Sequence, residues 1–255
     1  MKSLADLRIK IFADGADIAG MLEMYRHPLI RGFTTNPTLM RKAGVRDYEA
    51  FARDILAAIP DRPVSLEVLA DDFPDMERQA RVIASWAANV FVKIPITNTR
   101  GESSSGLIQR LSRDGIQLNV TALLTLEQVR TVAAVLDSRT PATISMFAGR
   151  IADTGIDPAP VIAEALAMLR AVPSVELIWA SPREVLNIFQ ADAVGCHIIT
   201  ATHDLLQKLP LIGKDLTQYS LETVAMFYTD AMASGFEISY GPGWQTAADS
   251  PPARR

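Results

Sequence analysis

A single lysine interrupts the apolar run NVFVKIPIT at residues 89–97. An ammonium group inside a protein is costly unless it is paired or gives up its proton. A deprotonated lysine in a low-dielectric pocket attacks a ketone carbonyl and forms a Schiff base. The protonated imine is an electron sink, so a neighbouring carbon–carbon bond can break. One group must then take the proton from the hydroxyl where the bond breaks, and another must shuttle protons as the carbinolamine forms and hydrolyses. Asp14 and Glu67 are of the right type to partner Lys93. The alternative is a purely structural ion pair between Lys93 and one of these carboxylates, and pattern alone leaves the two readings level. Pro95 cannot donate to a central ladder, so it sets the strand end two residues past Lys93 and places the lysine near the open end of its strand.

Those residues need a scaffold, and the chain supplies one rhythm from end to end. Short apolar runs at 9–13, 32–35, 64–68, 89–94, 116–120, 142–147, 175–180 and 196–200 read as strands. Between them lie amphipathic stretches at 48–59, 75–87, 126–136 and 158–172 with helical spacing of apolar residues. Asp72, Thr125 and Asp157 mark helix starts, with Pro158 suited to a first turn. Alternating strands and helices favour a parallel sheet with right-handed crossovers. Eight such units close into a (β/α)8 TIM barrel, with an open doubly wound sheet as the alternative. One domain is expected over residues 1–238, including an additional C-terminal helix near 215–235 with a Met and aromatic stripe, followed by a Pro- and Gly-rich tail at 239–255.

Catalytic groups of such barrels sit at the C-terminal ends of the strands. The polar residues closing each expected strand are Asp14, then Thr34, Thr35 and Asn36, then Glu67, Lys93, Asn119 with Thr121, Ser145 followed by Arg150, and Ser181 followed by Arg183. A lysine, two carboxylates and several amides and hydroxyls would converge on one mouth.

These residues stand in segments that resemble a known family. GFTTNPTL (32–39), VFVKIPIT (90–97), NVT (119–121), ISMFAGRI (144–151) and ASPR (180–183) are similar, in the same order, to the transaldolases and the related fructose-6-phosphate aldolases. The resemblance spans roughly residues 9–210 and implies a class I aldolase barrel with Lys93 as the imine-forming residue. It implies Asp14 as the group handling the proton at the cleaved C3–C4 bond, and Glu67 as a carboxylate working through a catalytic water that Thr121 helps to hold. Thr35, Asn36, Asn119 and Ser145 would face the dihydroxyacetone unit, and Arg150, Ser181 and Arg183 the phosphate. Glu67 and Phe147 together resemble the transferase branch, since the aldolase branch carries glutamine and tyrosine there. The chain departs from the family at Gly15, Met146 and Pro182. Because Pro182 separates two of the anion-binding positions, a sugar with another terminal anion, such as a sulfonate, stays open. A lyase releasing free dihydroxyacetone and a catalytically silent sugar-phosphate-binding barrel are the competing functions.

The remaining composition narrows the partners. A net charge of −4 over 255 residues gives no footprint for nucleic acid or an anionic membrane. The single cysteine, Cys196, cannot form an internal disulfide, which fits a reducing cytoplasm. Asp6, Arg8 and Lys10 interrupt the first residues, unlike a signal peptide. His27, His197 and His203 are scattered without metal-ligand spacing, and no glycine-rich nucleotide loop is present, so neither metal nor organic cofactor is expected. The segment 98–106 reads as a polar, mobile loop near the mouth. The expected partners are sugar-phosphate substrates and further copies of the chain in a homo-oligomer.

Overall fold

The structure, a computed structural model, describes residues 4–238. The expected tail at 239–255 lies outside the described residues. Eight parallel strands close into a barrel in sequence order. They are β1 (Lys10–Asp14), β2 (Ile30–Thr34), β3 (Val64–Glu67), β4 (Val90–Pro95), β5 (Leu118–Leu123), β6 (Ala142–Met146), β7 (Val175–Trp179) and β8 (Ile198–Thr202). Helices follow the strands, as the alternation of periods requires. Strands with both faces covered read as continuous apolar runs. Accordingly Leu66, Val92, Ile94, Leu118, Val120 and Ile144 have no exposed surface. Phe33, Ile55, Met76 and Ile108 belong to the same core.

The helix starts have visible causes. Asp72 accepts from Asp75 N at 3.0 Å, and Asp157 from Ala159 N at 2.9 Å ahead of Pro158. Thr125 and Gln128 form a reciprocal capping box. The segment 98–106 is a loop as far as Ser104, and several of its polar groups are engaged. Thr99 N donates to Asp71 at 2.8 Å, Asn98 Oδ1 accepts from the backbones of Arg100 and Glu102 at 3.0 Å each, Thr97 bridges Ser103, and a helix begins at Ser105. Its polar side chains serve local hydrogen bonds, which is how a hydrophilic segment becomes ordered.

The chain divides into two compact units after Ile212. In the second, the helix Leu216–Ser234 is capped by Asp215 and ended by Gly235, whose φ of 65° is the left-handed conformation glycine adopts without a Cβ penalty. Within that unit Leu216, Val224, Phe227, Tyr228 and Met232 are exposed. In the barrel, Cys196 is buried, its Sγ 3.4 Å from the carbonyls of Leu177 and Ile198, and burial pushes its thiol up to about 12. No helix of the described residues is long and apolar enough to cross a membrane.

Candidate active site

Strand register assembles the cluster. Glu67 on β3 pairs with Lys93 on β4, which pairs with Asn119 on β5, while Asp14 at the end of β1 pairs with Thr34 on β2. Alternate residues of a strand share a face, so partners in register project together from that face. The Lys93 ammonium is buried, lies 3.1 Å from Glu67 Oε2, and donates to the Thr35 carbonyl at 3.0 Å. The carboxylate that pairs with Lys93 is therefore Glu67, one of the two expected from the sequence. Pro95 ends β4 two residues beyond, level with Thr121.

Asp14 accepts a hydrogen bond from Thr34 Oγ1 at 2.7 Å. Desolvation by burial holds its carboxyl above the ordinary carboxylate range, against the attraction of Lys93 and the Thr34 hydrogen bond, with Glu67 adding to the rise. A carboxylate made more basic in this way is better suited to accept a proton from an alcohol and return it. Glu67 is anchored from outside the barrel, because Tyr48 donates its hydroxyl to the Glu67 carbonyl at 2.7 Å. Burial, reinforced by Glu67, drives the Tyr48 phenol far above its usual range, so it stays a donor.

A cavity of about 550 Å³ lies over this cluster. Asp14, Asn36, Glu67, Lys93, Thr121 and Ser145 line it on one side, and Phe147, Arg150, Ser181 and Arg183 on the other. Asn36 caps the helix Pro37–Lys42 by accepting from Leu39 N at 3.0 Å, which leaves its amide hydrogens for a ligand. The Thr121 hydroxyl makes no hydrogen bond to the described protein and is available to a water or substrate oxygen. Ser145 donates to Asn119 Oδ1 at 2.8 Å.

Two expected substrate contacts sit in the wall and not in the lining. The Thr35 hydroxyl donates to the Ser65 carbonyl at 2.9 Å, and only its carbonyl meets Lys93. Asn119 is fully buried between Ser65 Oγ, to which it donates at 2.9 Å, and Ser145. Both side chains satisfy buried partners, and withdrawing them would strand polar groups at a cost of about 1–3 kcal/mol each.

The far side of the cavity is built from backbone. Gly149, in the short helix Ala148–Asp153 that follows β6, lies so close to the Ser181 carbonyl that a Cβ there would stand 1.6 Å from its oxygen. Ser181 itself has φ 63°, and Ala122 on the opposite side has φ 65°. Among the described residues these are the non-glycine positions with positive φ, and both line the cavity. Such conformations cost about 1–3 kcal/mol each and gather at functional sites. Arg183 is held by Asp153, with Nε 3.2 Å from Oδ1, while the Arg150 guanidinium stacks 5.5 Å from the centre of the Phe147 ring. Arg183 and Asp153 are both about half exposed, so water screens that pair.

Sequence reasoning missed Lys42, Tyr48, Ser65, Gly149 and Thr200, and left Thr34 among the strand ends without a role. Thr200 and Lys42 line the cavity, and Ser65 supports its wall. Alternation along β8 marks Thr200 as a polar residue in an apolar strand, the one signal that could have found it. Among the described residues no group of three or more His, Cys, Asp or Glu is placed to hold a metal ion.

Comparison with known proteins adds an independent line. The sequence profile of the transaldolase/fructose-6-phosphate aldolase family matches residues 11–238. A "probable transaldolase" of Dehalococcoides mccartyi is 34% identical over 216 residues, covering 83% of this chain and 96% of that protein. One of Thermoanaerobacter sp. is 33% identical over 234 residues, covering 90% of this chain and all of that protein (100%). Among solved structures, a mandelate racemase/muconate lactonizing enzyme-like protein from Rubrobacter xylanophilus matches with TM-score 0.51 at 13% identity, over 78% of this chain and 54% of that one. That likeness is one of fold alone.

Proposed function

The chain belongs to the transaldolase/fructose-6-phosphate aldolase family, and we propose that it moves a dihydroxyacetone unit from a ketose phosphate to an aldose phosphate through a Schiff base on Lys93. Fructose 6-phosphate or sedoheptulose 7-phosphate would be the donor. The observation carrying this reading is a buried lysine 3.1 Å from one carboxylate, with a second, basic carboxylate lining the same cavity.

Lys93 passes a proton to Glu67 along their contact and attacks the ketose C2. Glu67, through a water held with Thr121, carries the protons of carbinolamine formation and dehydration. The iminium then draws electrons as Asp14 takes the proton of the C4 hydroxyl. The C3–C4 bond breaks, its electron pair forms the enamine, and the first aldose leaves. The acceptor aldehyde enters, C3 attacks it, and Asp14 returns the proton. Asn36 and Ser145 hold the three-carbon unit, while Arg150, Ser181 and Arg183 take the terminal anion. Phe147 offers no hydroxyl to position a hydrolytic water, which favours transfer over release of free dihydroxyacetone.

The main rival is the lyase. Omitting the acceptor separates them, because a lyase turns over and a transferase stalls after one equivalent. A second reading concerns the anion: with Arg183 engaged by Asp153, a sulfonate, which carries less charge than a phosphate, is also a fitting terminal group. A donor panel of phosphate, sulfonate and unphosphorylated ketoses decides it. Borohydride reduction with a ketose phosphate tests the imine itself, and absence of an adduct on the Lys93 peptide would refute it. The exposed apolar side chains of the helix Leu216–Ser234 support assembly with further copies of the chain. The unpaired, buried thiol of Cys196 accords with a cytoplasmic setting.

A further inference from the structure

Thr200 belongs to no step above, yet it stands at the end of a hydroxyl chain that leads to the proposed base. Its Oγ1 lies 2.6 Å from Thr34 Oγ1, which lies 2.7 Å from Asp14 Oδ1. Both threonines are buried, and both line the catalytic cavity. On β8 it is Thr202 that pairs with Asp14, whereas Thr200 pairs with Phe12, two residues deeper. Thr200 therefore reaches past β1 to Thr34 on β2, joining three strands through side chains.

The direction of the chain follows from proton counting. An ionised carboxylate only accepts, so the single Thr34 hydroxyl proton is committed to Asp14. The contact between the two hydroxyls then has one assignment, with Thr200 donating. A hydroxyl that accepts a hydrogen bond becomes a better donor in turn. We propose that Thr200 is a positioning residue, donating to Thr34 so that the Thr34 proton stays on Asp14 Oδ1 and Asp14 Oδ2 is left for the reacting hydroxyl. This rests on the assignment of Asp14 as the base in the proposed function.

Removing Thr200's proton donor weakens the one hydrogen bond that favours the ionised carboxyl, so Asp14 becomes still more basic. Other charges face Asp14 as well. Lys93 and Glu67 act from β4 and β3, while Lys42 on the helix Pro37–Lys42 and Arg150 and Arg183 line the same cavity. Asp17, Glu23, His203 and Asp204 share with it the adjoining cavity beyond β1 and β8. None of them touches Thr200 by hydrogen bond or ion pair among the described residues, so a change at Thr200 reads the hydroxyl chain.

The test follows the acid limb of kcat/KM against pH in Thr200→Val and Thr200→Ser, beside the titration of the Asp14 carboxyl by 13C NMR in the substrate-free protein. Thr200→Val is expected to move both upward by about half a pH unit or more, with kcat falling more than KM rises. Thr200→Ser, which keeps the hydroxyl, is expected to stay with wild type. Thr200→Ala is read in the same way should the valine variant misfold. An unmoved limb and an unmoved Asp14 titration in a folded variant lacking the hydroxyl would overturn the proposal. Borohydride trapping on Lys93 keeps the two ideas apart. If wild type traps no adduct, the proposed function falls, and the carboxyl titration still decides whether Thr200 acts on Asp14.

Discussion

The two sides of the cavity are made differently. Around β1 to β5, Asp14, Glu67 and Lys93 project from strands, are desolvated, and owe their spacing to register. After β6 and β7, Arg150 on the short helix Ala148–Asp153 and Arg183 on the loop beyond Trp179 are exposed, and a glycine pressed against a carbonyl brings the two segments together. Charge on the strand side is expensive and therefore fully committed; on the turn side it is screened and easily exchanged. Under the proposed function, chemistry on the first side would tolerate little change, while substrate choice could drift on the second.

That contrast breaks first at its strongest point. Lys93→Ala should abolish the borohydride-trapped adduct and lower cleavage by more than about 10⁴-fold, the scale on which losing a nucleophile is felt. Retained turnover would mean the lysine is only a structural partner of Glu67. Next, Asp14→Asn should still trap the adduct but slow cleavage by about 10²–10⁴-fold. The same variant sharpens the comparison through stability. Because the folded carboxyl is held above its unfolded value, its contribution is fully present below the unfolded value and is lost as pH rises through the folded one. Asp14→Asn should therefore melt higher than wild type at neutral pH, with the gain shrinking as pH falls toward 3.8. A constant difference in Tm across that window would contradict the desolvated base.

On the turn side the effects are smaller and selective. Gly149→Ala must displace the Ser181 backbone, costing about 1–3 kcal/mol as overpacking does, and should raise KM for anionic sugars more than it lowers kcat. Arg183→Ala should raise KM for a phosphorylated donor by about 10- to 100-fold, the worth of one hydrogen bond to a charged group, and leave an unphosphorylated ketose unchanged. Equal losses for both donors would show that Arg183 braces the turn through Asp153.

The same division governs what could be read in advance. Eight strands, the capping residues Asp72, Thr125 and Asp157, and the strand-end placement of Asp14, Glu67 and Lys93 all follow from periodicity and local chemistry. Thr35 just past β2 and Asn119 on β5 stand at the expected strand ends, yet their side chains turn to Ser65 and Ser145. Which polar neighbour satisfies a buried group depends on packing that no spacing reports. Lys42 and Tyr48 come from helices whose faces look ordinary, and the positive φ of Ala122 and Ser181 leaves no trace in residue type. At 98–106 hydrophilicity alone does not reveal that Asn98 bonds the backbone of Arg100 and Glu102.

Cys196 gives the protein a built-in clock. The seam between β7 and β8 rests on two register pairs, Ile178 with Ile198 and Trp179 with Ile199, immediately beside this thiol. In the closed barrel the sulfur is buried and burial pushes its thiol up, so alkylation requires a local opening around it, at that seam or at the helix end whose Ala191 carbonyl accepts from Cys196 N. The rate at which the native protein consumes a thiol reagent should thus time how often the barrel opens around this cysteine, with no label introduced.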